Sequence, residues 1–420
     1  MNICLLHNRL LTAALLTLAS LPGQKTYAQH NQIFNERIAT LQVVGDDNWQ
    51  SMPIVELGGQ AMNISFDDLT HEYHRYTYRI EHLDAYWQPT EQLFSSDFID
   101  GFTEGNTIDP VDESYGTNTL YTHYRLSLPN EHCSIKKSGN YRLTVYDDNE
   151  SDEPVLSACF MVVEKQMAVS MTVTSNTDVD FNKSHQQVEA AIDYGGLRVT
   201  DPERQVKTVV LQNGRWDDAR RDIQPQYRMA DGLKWSHCHD YIFHGGNEYR
   251  KFETLDVSHT TMGLEAVNWD GKDYHAWTWT DSPRPSYVYD ESGMGSYYIR
   301  NSDNQDNDIS TEYLWVHFRL EAPRQTGDVY VNADWTDDEF SDKYRMVYNE
   351  TEHIYELALR LKQGYYSYQY LTLYSDGTAH PVSSEGDFFQ TKNRYQMLVY
   401  YRGNGELYDR LVGYQQVQVK

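Results

Sequence analysis

Residues 313–320 read Tyr-Leu-Trp-Val-His-Phe-Arg-Leu, and the alternation is strict: Leu314, Val316, Phe318 and Leu320 stand opposite Tyr313, Trp315, His317 and Arg319. A period of two sends successive side chains to opposite faces of a strand, whereas a helix buries residues at a period near 3.6. The same period returns at Tyr76, Tyr78 and Ile80, at Leu126 and Leu128, at Leu143 and Val145, at Val329 and Val331, and at Tyr366, Tyr368 and Tyr370. Turn signals such as Gly139-Asn140 and Asn213-Gly214 separate these runs. Short alternating strands between turns predict an all-β chain of multidomain immunoglobulin-like β-sandwiches.

The start of the chain predicts an address. Arg9 precedes the short apolar run Leu10 to Ala19, and Thr26-Tyr27-Ala28 stands before Gln29 as a cleavage site. That run is shorter than the ~20 residues a membrane-spanning helix takes, so the expectation is an exported, soluble chain without a span. Residues 1–28 are read as the leader, 29–165 as an N-terminal immunoglobulin-like sandwich, 166–322 as a middle β-domain and 323–420 as a C-terminal immunoglobulin-like sandwich. In the first sandwich, Tyr141 follows Gly139-Asn140 and opens an apolar alternation, a pattern similar to a tyrosine corner. Residues 94–119, rich in Asp, Gly and Ser, are expected to leave the sandwich as a surface excursion.

Charge narrows the partners. A formal net charge of −27 argues against nucleic acid or an anionic membrane surface, since both require basic patches. Beyond the leader, Cys133, Cys159 and Cys238 form an odd set, which permits one internal disulfide at most and is no disulfide scaffold. Whether Cys133 and Cys159 pair is left open.

The stretch 211–253 gathers the residues that read as a site: Arg215-Trp216-Asp217, His237-Cys238-His239, and Gly245-Gly246-Asn247 followed by Arg250. An Arg and an Asp around a Trp more often make an ion pair packed over the ring. His-Cys-His, read as part of a strand, would send its middle residue to the opposite face, and a zinc site needs four converging ligands. The reading is structural, without metal or cofactor. No G-x-S-x-G, P-loop, G-x-G-x-x-G or H-E-x-x-H occurs, and no residue is assigned a catalytic role.

The same stretch carries a resemblance. QNGRWDDA (212–219) and FHGGNEYRKFE (243–253) resemble the plug protein family of the Bacteroidetes type IX secretion system. ISFDDL (64–69), YRIEHLDAYWQP (78–89), NTLYTHYRLSLPN (118–130), SGNYRLTVYDD (138–148) and LKQGYYSYQY (361–370) fit in the expected order. Where the family typically has a His-Cys-Asn-Ala-Asp-Trp-like run, this chain has His82-Leu83-Asp84-Ala85-Tyr86-Trp87, so a role for that cysteine does not carry over. The resemblance implies a non-enzymatic periplasmic protein at the inner face of the outer membrane. Its implied partner is the outer-membrane β-barrel translocon of type IX secretion, whose periplasmic opening it seals. Arg215, Trp216, Asp217, Gly245, Gly246, Asn247 and Arg250 would be structural family-motif residues. The alternative is a cell-envelope carbohydrate-binding protein, because VYVNADW (329–335) with the later tyrosine strand looks like a starch- or glycogen-binding module, with Trp335 as the ring for a sugar.

Overall fold

The computed structural model describes residues 30–149 and 153–419; the expected leader lies outside the described residues. The chain is all-β, and its strands build three sandwiches.

In the first sandwich one sheet runs Gln32–Ile33, Pro154–Val163, Gly139–Asp147, Tyr76–Leu83, Glu104–Thr107, with Ile54–Glu56 joined in parallel to Pro154–Val163. The facing sheet runs Ile38–Gly45, Met62–Asp68, Thr122–Leu128, Val111–Glu113. Ile64, Phe66, Tyr124 and Leu126 of one sheet meet Tyr78, Ile80, Leu143 and Phe160 of the other. Phe66 stacks on Tyr124 with centroids 5.2 Å apart. The Tyr141 hydroxyl donates to the Lys137 carbonyl at 2.7 Å, the back-bond of a tyrosine corner. Residues 94–119 do not leave the sandwich. Glu104–Thr107 pairs with Tyr76–Leu83 and Val111–Glu113 with Thr122–Leu128, while Phe98, Ile99 and Ile108 are buried in the core. Their apolar residues are too widely spaced to show a period, which is why composition pointed outward.

The second sandwich sets Ala168–Thr174, His185–Asp193, Gly232–Trp235 and Tyr227–Arg228 against Arg220–Arg221, Val206–Gln212, Arg394–Tyr401 and Arg410–Gln418. Its core joins Val188, Ile192 and Trp235 to Val210, Met397 and Val399. The last two strands therefore return from the far end of the chain.

The third sandwich is inserted between these halves. Arg250–Thr254, Gly364–Leu373 and Tyr297–Ile299, with Asp328–Asn332 and Ala379–Pro381, face Leu264–Trp269, Tyr274–Thr278, Tyr313–Glu321, Ile354–Lys362 and Val347–Asn349. Tyr366 donates to the Lys362 carbonyl at 2.6 Å, repeating the four-residue back-bond of Tyr141.

The strand pairing thus corrects the division at 322/323. Tyr313–Glu321 lies on one side of that boundary and its partner Ile354–Lys362 on the other. Likewise Val206–Gln212 pairs with Arg394–Tyr401, so 166–322 and 323–420 are not separate units. Alternation reports which residues of a strand share a face, and it is silent about which distant strand completes the sheet.

Candidate functional site: the junction of the three sandwiches

Pro154–Val163 and Arg394–Tyr401 are buried on both faces. In the former, Ala158, Phe160 and Val162 fill the first core, while Cys159, Met161 and Val163 point the other way. They meet Val209, Leu211, Leu398, Tyr400 and Leu411 of the second sandwich, together with Trp87. Strands buried on both faces read as continuous apolar runs, as VLSACFMVV (155–163) and MLVYY (397–401) do. The first and second sandwiches share this apolar seam.

The Arg215-Trp216-Asp217 stretch closes one end of the seam. Asn213 and Gly214 take φ of 55° and 75°, the paired positive values of a two-residue Asn-Gly turn. Arg215 then grips Asp217 with both arms, at 3.0 Å and 2.5 Å, and donates to the Ala379 carbonyl of the third sandwich at 3.3 Å. The half-buried Trp216 ring meets Trp87 edge-on at 5.7 Å, and the Arg221 guanidinium lies over it at 5.2 Å. Its backbone N–H donates to Asp338 Oδ2 at 3.0 Å. The turn of the second sandwich therefore touches both others.

Asp338 belongs to an acidic loop of the third sandwich that enters this junction. Asp337 accepts from Asn31 of the first sandwich at 2.8 Å and Asp334 from Ser296 at 2.8 Å. All three carboxyls line, with Arg394, Trp49 and Trp216, a cavity of about 140 Å³. Burial raises each of them, to about 8 for Asp337 and about 7 for Asp338, where the nearby Asp217 charge adds to the effect. The loop is held by carboxyls that burial favours in protonated form.

Gly245, Gly246, Asn247 and Arg250 fasten the second sandwich to the third. A Cβ on Gly245 would come within 2.2 Å of the Phe388 carbonyl oxygen, and Gly246 takes φ of 61°. The Gly246 N–H donates to Asp387 and Asn247 to the Glu385 carbonyl, at 2.7 Å and 2.8 Å. Arg250 bridges Glu385 and Asp281 at 2.7 Å each, and Tyr368 and Tyr370 donate to the other Asp281 oxygen at 2.8 Å and 2.7 Å. The seven motif residues thus lie along the borders between sandwiches, in two groups rather than one pocket.

A second network joins the first sandwich to the third. Lys362 Nζ meets Asp67 Oδ2 at 2.6 Å with both side chains 1% exposed. Tyr313 and His123 also donate to Asp67 at 2.6 Å each, and the Thr40 hydroxyl donates to the Tyr313 oxygen at 2.6 Å. Lys362 further sits 4.1 Å above the Tyr121 ring. Burial alone would raise Asp67, but Lys362 and His123 outweigh it and hold the carboxyl below its ordinary value. Residues 67 and 362 are 295 positions apart. Their only sequence signal is a charge on an otherwise buried strand face.

With this geometry in view, a family model described as "Type 9 secretion system plug protein 1st domain" matches residues 38–164. The first sandwich is a type IX secretion plug protein domain. The matched residues span the first sandwich, including the seam strand Pro154–Val163. A crystal structure of a hypothetical protein from Parabacteroides merdae ATCC 43184 superposes with a TM-score of 0.89 at 36% identity, over 93% of this chain and 99% of that chain. The three-sandwich arrangement is thus shared by another protein of known structure. A collagen adhesin (CNA) from S. aureus aligns at 8% identity and a TM-score of 0.11, over 91% of both chains, too low to carry a likeness. Comparison with curated proteins finds no match.

Other residues singled out by sequence fall elsewhere on the fold. Cys133, Cys159 and Cys238 are each buried and unpaired. His237-Cys238-His239 is not on a strand. It turns out of Gly232–Trp235, with His237 at φ 54°, into a short 3-10 helix over His239–Tyr241, and exposed His237 pairs with Asp178 at 2.8 Å. Trp335 packs half-buried against the third core, donates to the Ser367 carbonyl at 3.1 Å, and lines the cleft between the first and third sandwiches. Among the described residues, no helix is long and apolar enough to cross a membrane.

Proposed function

We propose that the protein is a non-enzymatic periplasmic plug. It binds the periplasmic opening of the outer-membrane translocon of type IX secretion and seals it against leakage. The observation that carries this reading is the match of the first sandwich to the plug-protein first domain. The build supports it: three borders joined by apolar packing and buried ion pairs give one broad, stiff body, which blocking a pore requires and which needs no reacting group. Co-purification from detergent-solubilised envelopes should bring down the outer-membrane barrel. Deletion of the gene should leave secretion running but make the outer membrane leakier to large antibiotics, only where the translocon is present. A deletion strain no leakier than its parent, with no barrel co-purifying, rejects the reading.

One observation favours the second reading, a carbohydrate-binding protein of the envelope. Trp269 and Trp279 are 46% and 64% exposed on the third sandwich, where an indole face is open to a sugar ring. Co-sedimentation with insoluble glucans, lost in Trp279→Ala, would favour it.

A further inference from the structure

Between the first and third sandwiches, beside the Asp67–Lys362 pair, lies a cleft of about 380 Å³. Ile38 and Leu41 line it from one side, and Trp315, Tyr344, Leu359 and Leu361 from the other. A cleft of a few hundred cubic ångströms at a border between domains, mostly apolar with a few polar groups, is the usual form of a binding site.

Two strand edges border this cleft. Ile38–Gly45 ends its sheet and pairs only with Met62–Asp68. Ile354–Lys362 pairs along its whole length with Tyr313–Glu321 on one side, but on the other Val347–Asn349 covers only Ile354, Tyr355 and Glu356. Residues 357–361 therefore have no ladder partner on that side among the described strands. Such an edge is a template for a further strand, and proteins that do not use one commonly cover or distort it. Ile38–Gly45 is distorted: its register breaks between Ala39 and Gln42, and Tyr297 takes the Leu41 carbonyl at 2.9 Å. Residues 357–361 keep an unbroken register, and Arg360 is the one charge among them.

The charges at the mouth are unusual for a chain of net charge −27. Exposed Arg360 donates to the Thr119 hydroxyl at 3.0 Å and lies over the Tyr313 ring, and exposed Lys343 lies 4.9 Å from the Tyr344 ring centre. Among the described residues, neither forms an ion pair with a carboxylate. Two carboxyls also line the cleft, exposed Glu36 and half-buried Asp337, and desolvation raises Asp337 to about 8 although Lys343 pulls it down. The two cations leave a place for one more anionic group.

We propose that residues 357–361 are a strand-addition site for an extended polypeptide segment of a partner, apolar on the side facing the cleft and carrying a carboxylate that Arg360 and Lys343 receive. Backbone pairing supplies the affinity in such complexes, and pockets for alternate side chains supply the selectivity. The open edge favours a peptide over an acyl chain, which would use the apolar walls and leave the backbone groups unpaired. The site goes beyond the translocon reading and does not depend on it, since it concerns the purified protein and a peptide.

The test uses the full chain and a fluorescein-labelled short peptide of alternating valine and threonine ending in glutamate. Binding should be saturable and should slow amide hydrogen exchange within residues 357–361. Ala358→Trp, at an exposed position on the cleft wall, should abolish binding while thermal unfolding stays unchanged. Arg360→Glu should weaken it on the order of tenfold, as loss of a charge-assisted contact does. The same peptide ending in glutamine amide, without any carboxylate, should lose that dependence on Arg360. Three outcomes overturn the proposal: no binding, binding that Ala358→Trp leaves intact, or displacement of the peptide by palmitate without any slowing of exchange at 357–361, which would assign the cleft to an acyl chain.

Discussion

The first sandwich meets its two neighbours in opposite ways. Toward the second it presents Cys159, Met161, Val163 and Trp87, and the centre of the border is apolar, with polar contacts such as Tyr400 to Asn140 at 2.9 Å beside it. Toward the third it presents Asp67, His123 and Thr40 to Lys362 and Tyr313, and the border is polar, with a cleft beside it. Apolar burial is non-directional and grows with area, so it favours a continuous seam. A buried ion pair is worth little net free energy against apolar residues of the same shape, yet it is costly to break and demands one geometry. The seam supplies cohesion; the network sets position.

Breaking each border should show that difference. Trp87→Ala in the seam and Lys362→Met in the network should each cost on the order of 3–5 kcal/mol in denaturant unfolding, the first by leaving a cavity, the second by leaving Asp67 buried and uncompensated. Adding Asp67→Asn to Lys362→Met should then recover most of the loss. A double substitution no better than Lys362→Met alone would mean the network does more than satisfy its own charge.

At the end of the seam, Trp216→Ala should cost about 1–3 kcal/mol, less than Trp87→Ala because the ring is only half-buried. An unchanged midpoint would show that the three-way contact adds nothing to the seam.

The acidic loop gives the junction a pH dependence of known sign. Asp337 and Asp338 bind a proton more tightly in the folded chain, near 8 and 7, than at the ordinary value of 3.8. Their contribution is therefore fully present below pH 3.8 and is lost as pH rises through about 7 and 8. Asp338→Asn should raise stability at pH 8 and flatten the decline between pH 5 and 8, by up to about 1.4 kcal/mol per pH unit. An unaltered slope in unfolding midpoints across that range would refute the assignment.

The smallest effect compares two matching details. Tyr141→Phe and Tyr366→Phe each remove one back-bond, to Lys137 and Lys362, and each should cost about 0.5–1.5 kcal/mol. A much larger loss for Tyr366→Phe would show that this back-bond also supports the Lys362 network.

Much of the fold was legible because a half-buried strand writes its face into the chain. The alternations at 76–80, 143–145 and 313–320 became strands, and Tyr141 makes the back-bond its place after a turn implied. The ordered motifs pointed to the family that the match over 38–164 shows. The borders between sandwiches were less legible. VLSACFMVV (155–163) and MLVYY (397–401) carry apolar residues on both faces, but a run without a period does not say what covers its second face. Trp335 looked like an exposed ring and packs half-buried against the third core, since one tryptophan reads alike in a wall and on a surface. Sequence by itself determined strand content, turn chemistry and family, all of which rest on neighbours a few residues apart. Only the tertiary structure decided that 394–418 completes the second sandwich, that Asp67 finds Lys362, and that the edge at 357–361 stays open. Those facts depend on contacts across hundreds of residues, where local periodicity carries no information about the partner.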